Sequence, residues 1–587
     1  MSTPLGAPPG ATLLPNGRAR FRLWAPAQRR VQLALEGAAP LPMHARAGGW
    51  HELEAGAAAG ARYRYLLDDG RAVPDPASRC QPQDVHGPSE LVDPRAYRWR
   101  HEAWTGRPWH ETVLYEVHVG LLGGFAGAQG LLPHLAGLGA TAIELMPVGD
   151  FSGKRNWGYD GVLPYAPDSA YGRPDELKAL VDAAHGHRLA VFLDVVYNHF
   201  GPDGNCLQAC APQFFRADRQ TPWGAAIDFR CREVREYFIH NALYWLREFR
   251  FDGLRLDAVH AIAERDFLEE LADTVRATLG AAQPGRHVHL VLENERNDAA
   301  LLGARYDAQW NDDFHNAVHV LLTGEHEGYY GAYRGRAARH LARCLGEGFA
   351  WQGEPMPDGH ARGSSSAHLP PTAFVAFLQN HDQVGNRAHG ERLSRLADPA
   401  ALSAATVLLL LAPHVPLLFF GEDWGCDAPF LFFTDFHGPL ADAVREGRRR
   451  EFARFAAYAD AGARAAIPDP NAQATFERCR ALPPPGGTPA LSEHRALLRV
   501  RHEWLTPRLP GARSLGAQAL GVAAVRARWR LGDGSVLTLA ANLAADDAGC
   551  APVAGELLHA TSLDLPEALA RARLPARSAG AWLEPPP

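Results

Sequence analysis

Eight short apolar segments, separated by stretches with helical periodicity, constrain the fold of this chain more than any other feature. They lie at residues 113–119, 142–148, 189–196, 253–257, 288–293, 308–310, 373–380 and 415–421. Each is short enough, and apolar enough, to be a buried strand. In the intervals, for example at residues 174–185 and 237–249, apolar residues recur three and four positions apart. Eight strand–helix repeats over roughly 370 residues predict a central (β/α)8 TIM barrel.

The regions on either side of the repeats have a different pattern and predict a multidomain protein. Residues 1–95 alternate apolar and polar positions in short runs between Gly and Pro, which predicts an N-terminal β-sandwich of the carbohydrate-binding or immunoglobulin-like kind. Residues 486–587 are expected to form a helix followed by an antiparallel β domain. Residues 105–485 then hold the barrel, with an inserted subdomain at about 197–232, because that stretch is too long for a plain turn.

Charge and apolar content exclude several classes of function. The formal net charge is −7 with a pI near 6.5, so the sequence predicts no nucleic-acid-binding surface. The longest apolar run, at residues 404–420, is interrupted by prolines and is too short for a membrane span. Residues 1–9 have neither the basic nor the apolar segment of a secretory leader. We therefore expect a cytoplasmic protein without a membrane partner.

The eight cysteines are scattered along the chain and predict neither a disulfide framework nor a cofactor. Cys206 and Cys210 are the only close pair. A zinc site would need two more soft ligands nearby, and only Cys231 is a candidate. We therefore expect reduced thiols and no structural zinc.

Four predicted strands end in polar residues, so each brings a carboxylate to the same rim of the barrel. These ends lie at residues 194–199, 255–257, 292–295 and 380–383. Arg255 and Asp257 alternate with leucines, so they share one face of a strand. A cation beside Asp257 favours the ionised form that a nucleophile needs, although a purely structural ion pair stays open from these residues alone. Converging acids without a metal-ligand cluster indicate acid/base and nucleophilic chemistry, as in retaining glycoside hydrolysis.

In this order and on these strands, the four motifs resemble the α-amylase superfamily, glycoside hydrolase family 13. The resemblance implies that Asp257 is the nucleophile that forms a covalent glycosyl-enzyme intermediate. Glu293 would be the general acid/base, and Asp382 would stabilise the distorted sugar at the cleavage point. Glu295 lies on the same face as Glu293 and is its rival, but the position at the strand end favours Glu293.

The same resemblance implies a set of sugar contacts around these acids. Arg255 would keep the nucleophile ionised, while His199 and His381 would hydrogen-bond the sugar ring held there. Tyr159, in a Trp-Gly-Tyr motif, would stack under that ring, with ordinary loop packing as the alternative. His260 would contact the next sugar.

One position in these motifs raises the question of a metal. Asn198 occupies the place where many amylases coordinate calcium. The enlarged cation-binding loop of those enzymes is not evident in this sequence, so we expect no metal and no cofactor.

Within the superfamily, further segments are most similar to the malto-oligosyltrehalose trehalohydrolases. They lie at residues 115–120, 156–161, 310–315, 328–330, 379–387 and 429–435. The similarity implies hydrolysis of the α-1,4 bond between a maltooligosyl chain and terminal trehalose. Maltooligosyltrehalose and related α-glucans would be the substrates, and maltooligosyltrehalose synthase a functional partner. Asp312, Asp313, Phe314, Tyr329 and Tyr330 would form the wall that accepts trehalose, with ordinary loop packing as the alternative.

Two other functions remain open from the sequence. A glycogen branching or α-1,6-debranching enzyme shares the same carboxylates, and product analysis separates these activities. A non-catalytic glucan-binding protein is the second, although such proteins typically lack one of the three carboxylates, and this chain has all of them. Residues 121–125 differ from the Thr-Phe-Thr-Pro-like segment of the relatives, so their part in substrate contact is open.

Overall fold

A closed barrel of eight parallel strands forms the centre of the computed structural model, which describes residues 5–586. In chain order the strands are β1 (Leu114–Val117), β2 (Ala142–Leu145), β3 (Ala190–Val195), β4 (Gly253–Leu256), β5 (His289–Leu292), β6 (Ala308–Trp310), β7 (Phe374–Ala376) and β8 (Val415–Phe419). Each lies within one of the eight predicted segments, so the predicted barrel is confirmed. Leu417 of β8 pairs with Leu114 of β1, which closes the sheet and removes its open edges.

Both faces of the barrel strands are buried, which explains why they read as nearly continuous apolar runs. Alternate side chains point into the barrel because the side-chain period of a strand is two. Phe192, Val291, Trp310 and Val375 belong to one such inner cluster. The other face of each strand packs against the surrounding helices as part of the main core.

Helices cover the outside of the barrel. Their bounds are Gly124–Gln129, Leu132–Leu138, Pro174–Gly186, Arg232–Glu248, Arg265–Ala282, Asp312–Thr323, Ala337–Glu347 and Pro399–Leu411. The third begins with Pro174, at a position where a helix needs no backbone donor. The carboxylate of Glu176 accepts the backbone N–H of Arg173 at 2.7 Å, which satisfies one of the free donors at this end.

Several connections at the C-terminal rim carry structure of their own. They are the strand pair Gly149–Asp150 and Leu163–Pro167 after β2, the helix Leu207–Cys210 and the hairpin Phe215–Thr221 and Gly224–Ile227 after β3, the helices His381–Gly385 and Leu393–Leu396 after β7, and the helices Gly438–Phe452, Ala461–Ala465 and Gln473–Arg478 after β8. The predicted limits of the insertion and of the three domains stay predictions, and residues 1–4 and 587 lie outside the described residues.

The N-terminal region forms two facing antiparallel sheets, which confirms the predicted sandwich. In spatial order, the first contains Thr12–Leu13, Arg18–Trp24, Trp50–Gly56 and His44–Ala45. The second contains Leu41–Pro42, Gln32–Leu35, Arg62–Leu66 and Ala72–Val73, and Ser89–Glu90 also pairs with its third strand. Phe21 of the first sheet meets Tyr63 of the second edge-on, with ring centroids 4.9 Å apart. Apolar side chains from alternate positions therefore fill the space between the sheets.

The C-terminal region consists of a helix, Pro489–Val500, and an antiparallel sheet, as predicted. In spatial order the sheet contains Arg513–Ala519, Ala524–Arg530, Val536–Asn542, Ser578–Glu584 and Glu556–Ala560. A two-stranded sheet of Ala548–Gly549 and Arg573–Leu574 and a helix, Leu565–Ala570, complete it. Within residues 5–586, no helix combines the length and the apolar character needed to cross a membrane.

One buried arginine joins this C-terminal region to the barrel. The helix Pro399–Leu411 ends with carbonyl groups that have no partner within the helix. Arg501 donates to the carbonyl oxygens of Leu410 at 2.9 Å, Ala412 at 2.7 Å and His414 at 2.6 Å. Burial lowers the pKa of this guanidinium to about 9. The three hydrogen bonds satisfy backbone groups that would otherwise be buried without a donor.

Arg501→Met should lower the free energy of unfolding by about 3 kcal/mol, because it leaves buried carbonyl groups without donors. Thermal unfolding followed by circular dichroism measures this as a drop in Tm. Arg499→Met, at an exposed position of the same region, is the control and should leave Tm almost unchanged. Equal Tm values for the two variants would contradict a stabilising role for the Arg501 contacts.

Candidate active site

The three carboxylates predicted as catalytic meet at the C-terminal rim of the barrel. Asp257 directly follows β4, and Glu293 directly follows β5. Asp382 lies in the short helix His381–Gly385 after β7. All three line one cleft of about 1630 Å³. The barrel thus presents three acids to a single cleft, at the rim where this fold assembles its sites.

Arg255 lies at the centre of this group. Its Nη1 donates to Asp194 Oδ2 at 2.6 Å and to Asp257 Oδ1 at 2.7 Å. Its Nη2 lies 3.8 Å from Glu293 Oε2. The guanidinium is fully buried and packs over the ring of Trp310, 4.3 Å from the ring centroid. One fixed cation therefore contacts Asp257 and Glu293 together, so these two carboxyl groups are immediate neighbours.

Asn198 holds the second oxygen of Asp257, a contact that the sequence analysis did not predict. Its Nδ2 donates to Asp257 Oδ2 at 2.8 Å and to the Asp257 carbonyl oxygen at 2.9 Å. With Arg255 on Oδ1, both carboxylate oxygens have a donor, which fixes the plane of the carboxylate. The available signal was the position of Asn198 in the same strand-end motif as His199. In the sequence, that position indicated only a comparison with the calcium ligands of amylases.

Glu293 occupies a different electrostatic environment. Burial raises its pKa well above the usual range, and repulsion from Asp257 adds to this, while Arg255 opposes it. The backbone N–H of Ala258 donates to Glu293 Oε2 at 2.5 Å. Ala258 adopts a left-handed conformation with φ 41°, which is unfavourable for a residue with a Cβ. The environment of Glu293 therefore favours its protonated form, and a strained backbone turn holds the side chain in place.

His381 carries a positive charge because Glu116 lies against it. Burial alone would lower the pKa of His381, but the Glu116 carboxylate raises it to about 9. Glu116 accepts hydrogen bonds from His381 Nδ1 and from the His381 backbone N–H. The imidazolium is therefore directed into the cleft by a buried anion on β1.

Tyr159 lies between two buried ion pairs, Arg255–Asp194 and His381–Glu116. Its hydroxyl donates to Asp194 Oδ2 at 2.6 Å, and its ring stacks on His381 with centroids 5.0 Å apart. Burial raises the pKa of Asp194 to about 6, although Arg255 opposes the shift. Tyr159 therefore lies between Asp194 and His381 and lines the cleft.

Most of the predicted sugar-binding residues reach the cleft, and three do not. Those that line it are Tyr159, His199, His260, Asp312, Tyr329, Tyr330 and His381. Arg255 lies beneath them and contacts Asp257. Asp313 and Phe314 are buried elsewhere, so their predicted place in a substrate wall is corrected.

The helix Asp312–Thr323 explains this correction, because consecutive residues of a helix point in directions about 100° apart. Of the residues Asp312, Asp313 and Phe314, only Asp312 faces the cleft. Asp313 accepts hydrogen bonds from Asn297 Nδ2 and from the backbone N–H of Ala350, both at 2.8 Å. Phe314 is 1% exposed and belongs to the main core. Both are structural residues.

Asp312 itself has an unusual environment for an acid on a cleft wall. Burial raises its pKa to about 7, with Arg362 opposing the shift and Asp382 increasing it. Gln383 donates to Asp312 Oδ1 at 3.4 Å. Asp312 therefore changes charge near neutral pH, next to Asp382.

Trp223 is a cleft residue that the sequence analysis missed. It lies between the hairpin strands Phe215–Thr221 and Gly224–Ile227 and is 48% exposed. Its ring stacks on His199 with centroids 5.5 Å apart and lies 6.4 Å from His260. The only signal for it was a tryptophan within a polar insertion. A large exposed aromatic ring above such a cleft is a ready surface for a sugar.

The segment 121–125, which differs from the relatives, does not line the cleft. Leu121 and Phe125 are buried in the main core. The difference at this position is therefore one of packing. In the part of the chain that the structure describes, no group of three or more His, Cys, Asp or Glu side chains is arranged to hold a metal ion.

Comparison with known proteins places this architecture in one family. The α-amylase catalytic domain model matches residues 105–220, and a domain of unknown function, DUF3459, matches residues 512–581. The malto-oligosyltrehalose trehalohydrolase of Deinococcus radiodurans is 42% identical over 509 residues, which cover 84% of this chain and 83% of that protein. The Mycobacterium tuberculosis enzyme of the same name is 39% identical over 567 residues, which cover 92% and 95%. The chain belongs to the malto-oligosyltrehalose trehalohydrolase family.

Other similarities of this trehalohydrolase-family chain are consistent with that placement. The crystal structure of a candidate α-amylase from Salmonella typhimurium superposes with a TM-score of 0.91 at 44% identity, covering 98% of this chain and 99% of that one. A pullulanase from Paenibacillus barengoltzii has a TM-score of 0.70 at 20% identity, which supports the shared fold alone. A 1,4-α-glucan branching enzyme from Jannaschia is 33% identical, but over only 42% of this chain.

In this trehalohydrolase-family chain, Glu116→Gln should destabilise the fold by about 3 kcal/mol near pH 6, because it breaks a buried ion pair. The pKa of His381 rises from 6.5 to about 9 on folding. The stabilisation is therefore complete below pH 6.5 and is lost as the pH rises through about 9. Tm measured between pH 6 and pH 10 should show a gap from the native protein that narrows with pH.

The control for this measurement is Glu111→Gln, which alters a partly exposed pair with Arg107. It should cause only a small change in Tm at any of these pH values. A Tm gap for Glu116→Gln that stays constant from pH 6 to pH 10 would exclude a charged His381 as its cause.

Proposed function

We propose that this chain hydrolyses the α-1,4 bond between a maltooligosyl chain and its terminal trehalose, releasing trehalose and a maltooligosaccharide. The observation that carries the proposal is the similarity to named trehalohydrolases over nearly the whole chain, 92% of it in one case. The cleft with Asp257, Glu293 and Asp382 supplies the groups that the reaction needs. Similarity to the branching enzyme covers less than half of the chain, so that activity is the less favoured alternative.

In the first step, Asp257 attacks the anomeric carbon of the sugar that precedes trehalose. Arg255 and Asn198 hold one carboxylate oxygen each, which keeps the attacking group oriented. Burial raises the pKa of Glu293, which favours the protonated form, and Glu293 donates this proton to the glycosidic oxygen as the bond breaks. Trehalose leaves, and the maltooligosyl chain stays bound to Asp257 as an ester.

In the second step, the roles of the acid and base reverse. The Glu293 carboxylate accepts a proton from water, and the resulting hydroxide-like oxygen attacks the anomeric carbon. The bond to Asp257 breaks, the carboxylate is regenerated, and Glu293 is again protonated. The anomeric configuration is retained because two inversions occur at the same carbon.

Asp382, His381, His199 and Tyr159 surround the place of the reacting sugar. Asp382 accepts hydrogen bonds from its hydroxyl groups and favours the ring distorted towards an oxocarbenium ion. His381 donates as an imidazolium, since the ion pair with Glu116 keeps it charged. Tyr159 offers an aromatic face to the apolar side of the sugar.

The leaving trehalose is expected on the side of Glu293, because that residue protonates the departing oxygen. The carbonyl oxygen of Glu293 accepts a hydrogen bond from the backbone N–H of Val259 at 3.0 Å, so the loop after β4 lies next to Glu293. His260 follows Val259 in the sequence, and the rings of His260 and Trp223, with centroids 6.4 Å apart, both line the cleft. We propose that these two residues contact trehalose, whereas Asp312, which the sequence analysis assigned to the same wall, lies beside Asp382.

Tyr329 and Tyr330, which the sequence analysis assigned to the same wall, are connected through side-chain contacts to the loop that carries Asp382. Tyr330 stacks on His319 with centroids 4.2 Å apart, and His319 contacts Glu325 at 2.8 Å. Glu325 in turn pairs with Arg387 at 2.7 Å, five residues after Asp382. We therefore assign both tyrosines to the part of the cleft beside Asp382.

A functional partner and a cellular location are also part of the proposal. A maltooligosyltrehalose synthase is the functional partner, because it would supply the substrate. The cytoplasm is the proposed location, which is consistent with the eight cysteines, all of them free thiols.

Incubation of the protein with maltotriosyltrehalose should release free trehalose and maltotriose, because cleavage at the bond next to trehalose yields these two products. Chromatography of the products measures this directly. Transfer of chains to form branch points, or release of linear chains from branched glucan without any trehalose, would reject the proposal in favour of a branching or debranching enzyme.

The roles of the two acids can be separated with a substrate that needs no proton to leave. Glu293→Gln should lower kcat on maltotriosyltrehalose by at least about 10³-fold, because the general acid is lost. With α-maltosyl fluoride the formation of the glycosyl-enzyme should proceed, since fluoride departs unprotonated. Asp257→Ala should abolish both reactions, because the nucleophile is absent.

Stopped-flow fluoride release and steady-state trehalose release measure these effects. Glu295→Gln is the matched control, since Glu295 is the rival acid, and its kcat should stay within a few fold of the native value. A greater loss of activity for Glu295→Gln than for Glu293→Gln would reverse the assignment of the acid.

A further inference from the structure

One end of the cleft is formed by a segment that takes little part in the core. We call residues 438–458, which follow β8, the end wall. Its helix, Gly438–Phe452, buries only Arg448 and Phe452. Phe455 and Tyr458 lie beyond that helix, half-buried, and both line the cleft. The exposed part of the two rings therefore adjoins the space that leads to the catalytic acids.

The end wall is fixed to the loop that carries Asp382. Arg448 Nη2 donates to the carbonyl oxygens of Gly385 at 2.7 Å and Arg387 at 3.1 Å. Between them, the N–H of Asn386 donates to the carbonyl oxygen of Asp382 at 2.8 Å. The distance between the end wall and Asp382 is therefore set by a short series of direct hydrogen bonds.

The direction of the reaction determines which part of the substrate reaches the end wall of the cleft. In the proposed reaction, the departing trehalose lies on the side of Glu293 and His260. The sugar that becomes attached to Asp257 is the one held by Asp382. Every further glucose of the maltooligosyl chain must therefore extend from Asp382 away from Glu293, and the end wall is the part of the cleft that is bonded to the loop following Asp382.

The chemistry of the end wall suits a glucose chain. Phe455 and Tyr458 both pack on Phe452, with centroids 5.7 and 5.4 Å from it, which holds their rings in place. A fixed aromatic ring offers a face to the C–H groups of a pyranose. Arg387 and Glu391 lie on the same part of the cleft and offer charged hydrogen-bonding groups to the sugar hydroxyls.

We propose that the end wall is a distal binding site for the maltooligosyl chain, with Phe455 and Tyr458 as stacking surfaces that set the preference for chain length. This inference rests on the proposed function, because it assumes that trehalose leaves from the other end. The ligand class is a linear α-1,4-glucan. A chain long enough to reach both rings gains binding free energy that a short chain does not.

The test compares trehalose release from maltosyltrehalose and from maltopentaosyltrehalose. In Phe455→Ala and Tyr458→Ala, kcat/KM for the longer substrate should fall about three- to tenfold, as expected for the loss of one stacking contact. The value for the shorter substrate should stay unchanged. An equal loss on both substrates, or no loss on either, would overturn the proposal.

Three further variants separate stacking from folding. Phe455→Tyr and Tyr458→Phe retain an aromatic ring and should keep the native ratio of the two kcat/KM values. Trp504→Ala removes a half-buried ring that lies outside the cleft beneath an arginine, as Phe455 lies beneath Arg454. It should not change the ratio. A changed ratio for Trp504→Ala would mean that the effect arises from general destabilisation.

A binding measurement distinguishes failure of this proposal from failure of the proposed function. In the inactive Asp257→Ala background, Phe455→Ala should weaken the binding of maltoheptaose, measured by calorimetry, about three- to tenfold. If the native protein releases no trehalose but this difference is found, the function is rejected and the distal site stands. If trehalose is released and maltoheptaose binds equally to both proteins, the distal site is rejected.

Discussion

The buried guanidinium of Arg255 is the interaction on which the rest of the site depends. It contacts Asp194, Asp257 and Glu293 from within the barrel, where a lone cation would be very costly. Carboxylates on neighbouring strands offset that cost, and the ring of Trp310 covers one face of the guanidinium. The catalytic geometry and the stability of the barrel interior are therefore coupled through one side chain. Changes at Asp194 or Trp310 act on the site even though neither is proposed to touch substrate.

Neighbouring acids in this cleft have opposite tasks, and the structure separates them by environment. Asp257 receives a donor on each carboxylate oxygen, which orients the carboxylate for attack. Glu293 is buried with one backbone donor and with Asp257 close by, so its pKa is raised and the protonated form is favoured. His381 adds a positive charge whose partner, Glu116, lies below the cleft. The donors and neighbouring charges around each group are thus in place before any substrate arrives, and such preorganisation is a common basis of enzymatic rate enhancement.

Much of the fold followed from the sequence because strand and helix periods are local properties. All eight barrel strands lie within predicted segments, and the carboxylates meet at one cleft because parallel strands share a C-terminal edge. The residues that the sequence misplaced or missed are those whose position depends on rotation about a helix or on contacts between segments distant in sequence. Asp313 and Phe314 follow Asp312 directly but point into the core. Trp223, which stacks on His199 from an insertion, has no pattern that would identify it.

The small number of buried residues in the end-wall helix has an evolutionary consequence. Arg448 and Phe452 are the only buried residues of the helix Gly438–Phe452, so this element contributes little to the free energy of folding. An element of that kind can be lengthened, shortened or exchanged without rebuilding the barrel beneath it. Related enzymes acting on longer or shorter glucans can thus arise by changes confined to one surface insertion. The same property makes this segment a natural place to graft a different wall, as long as the Arg448 hydrogen bonds to the loop that carries Asp382 are kept.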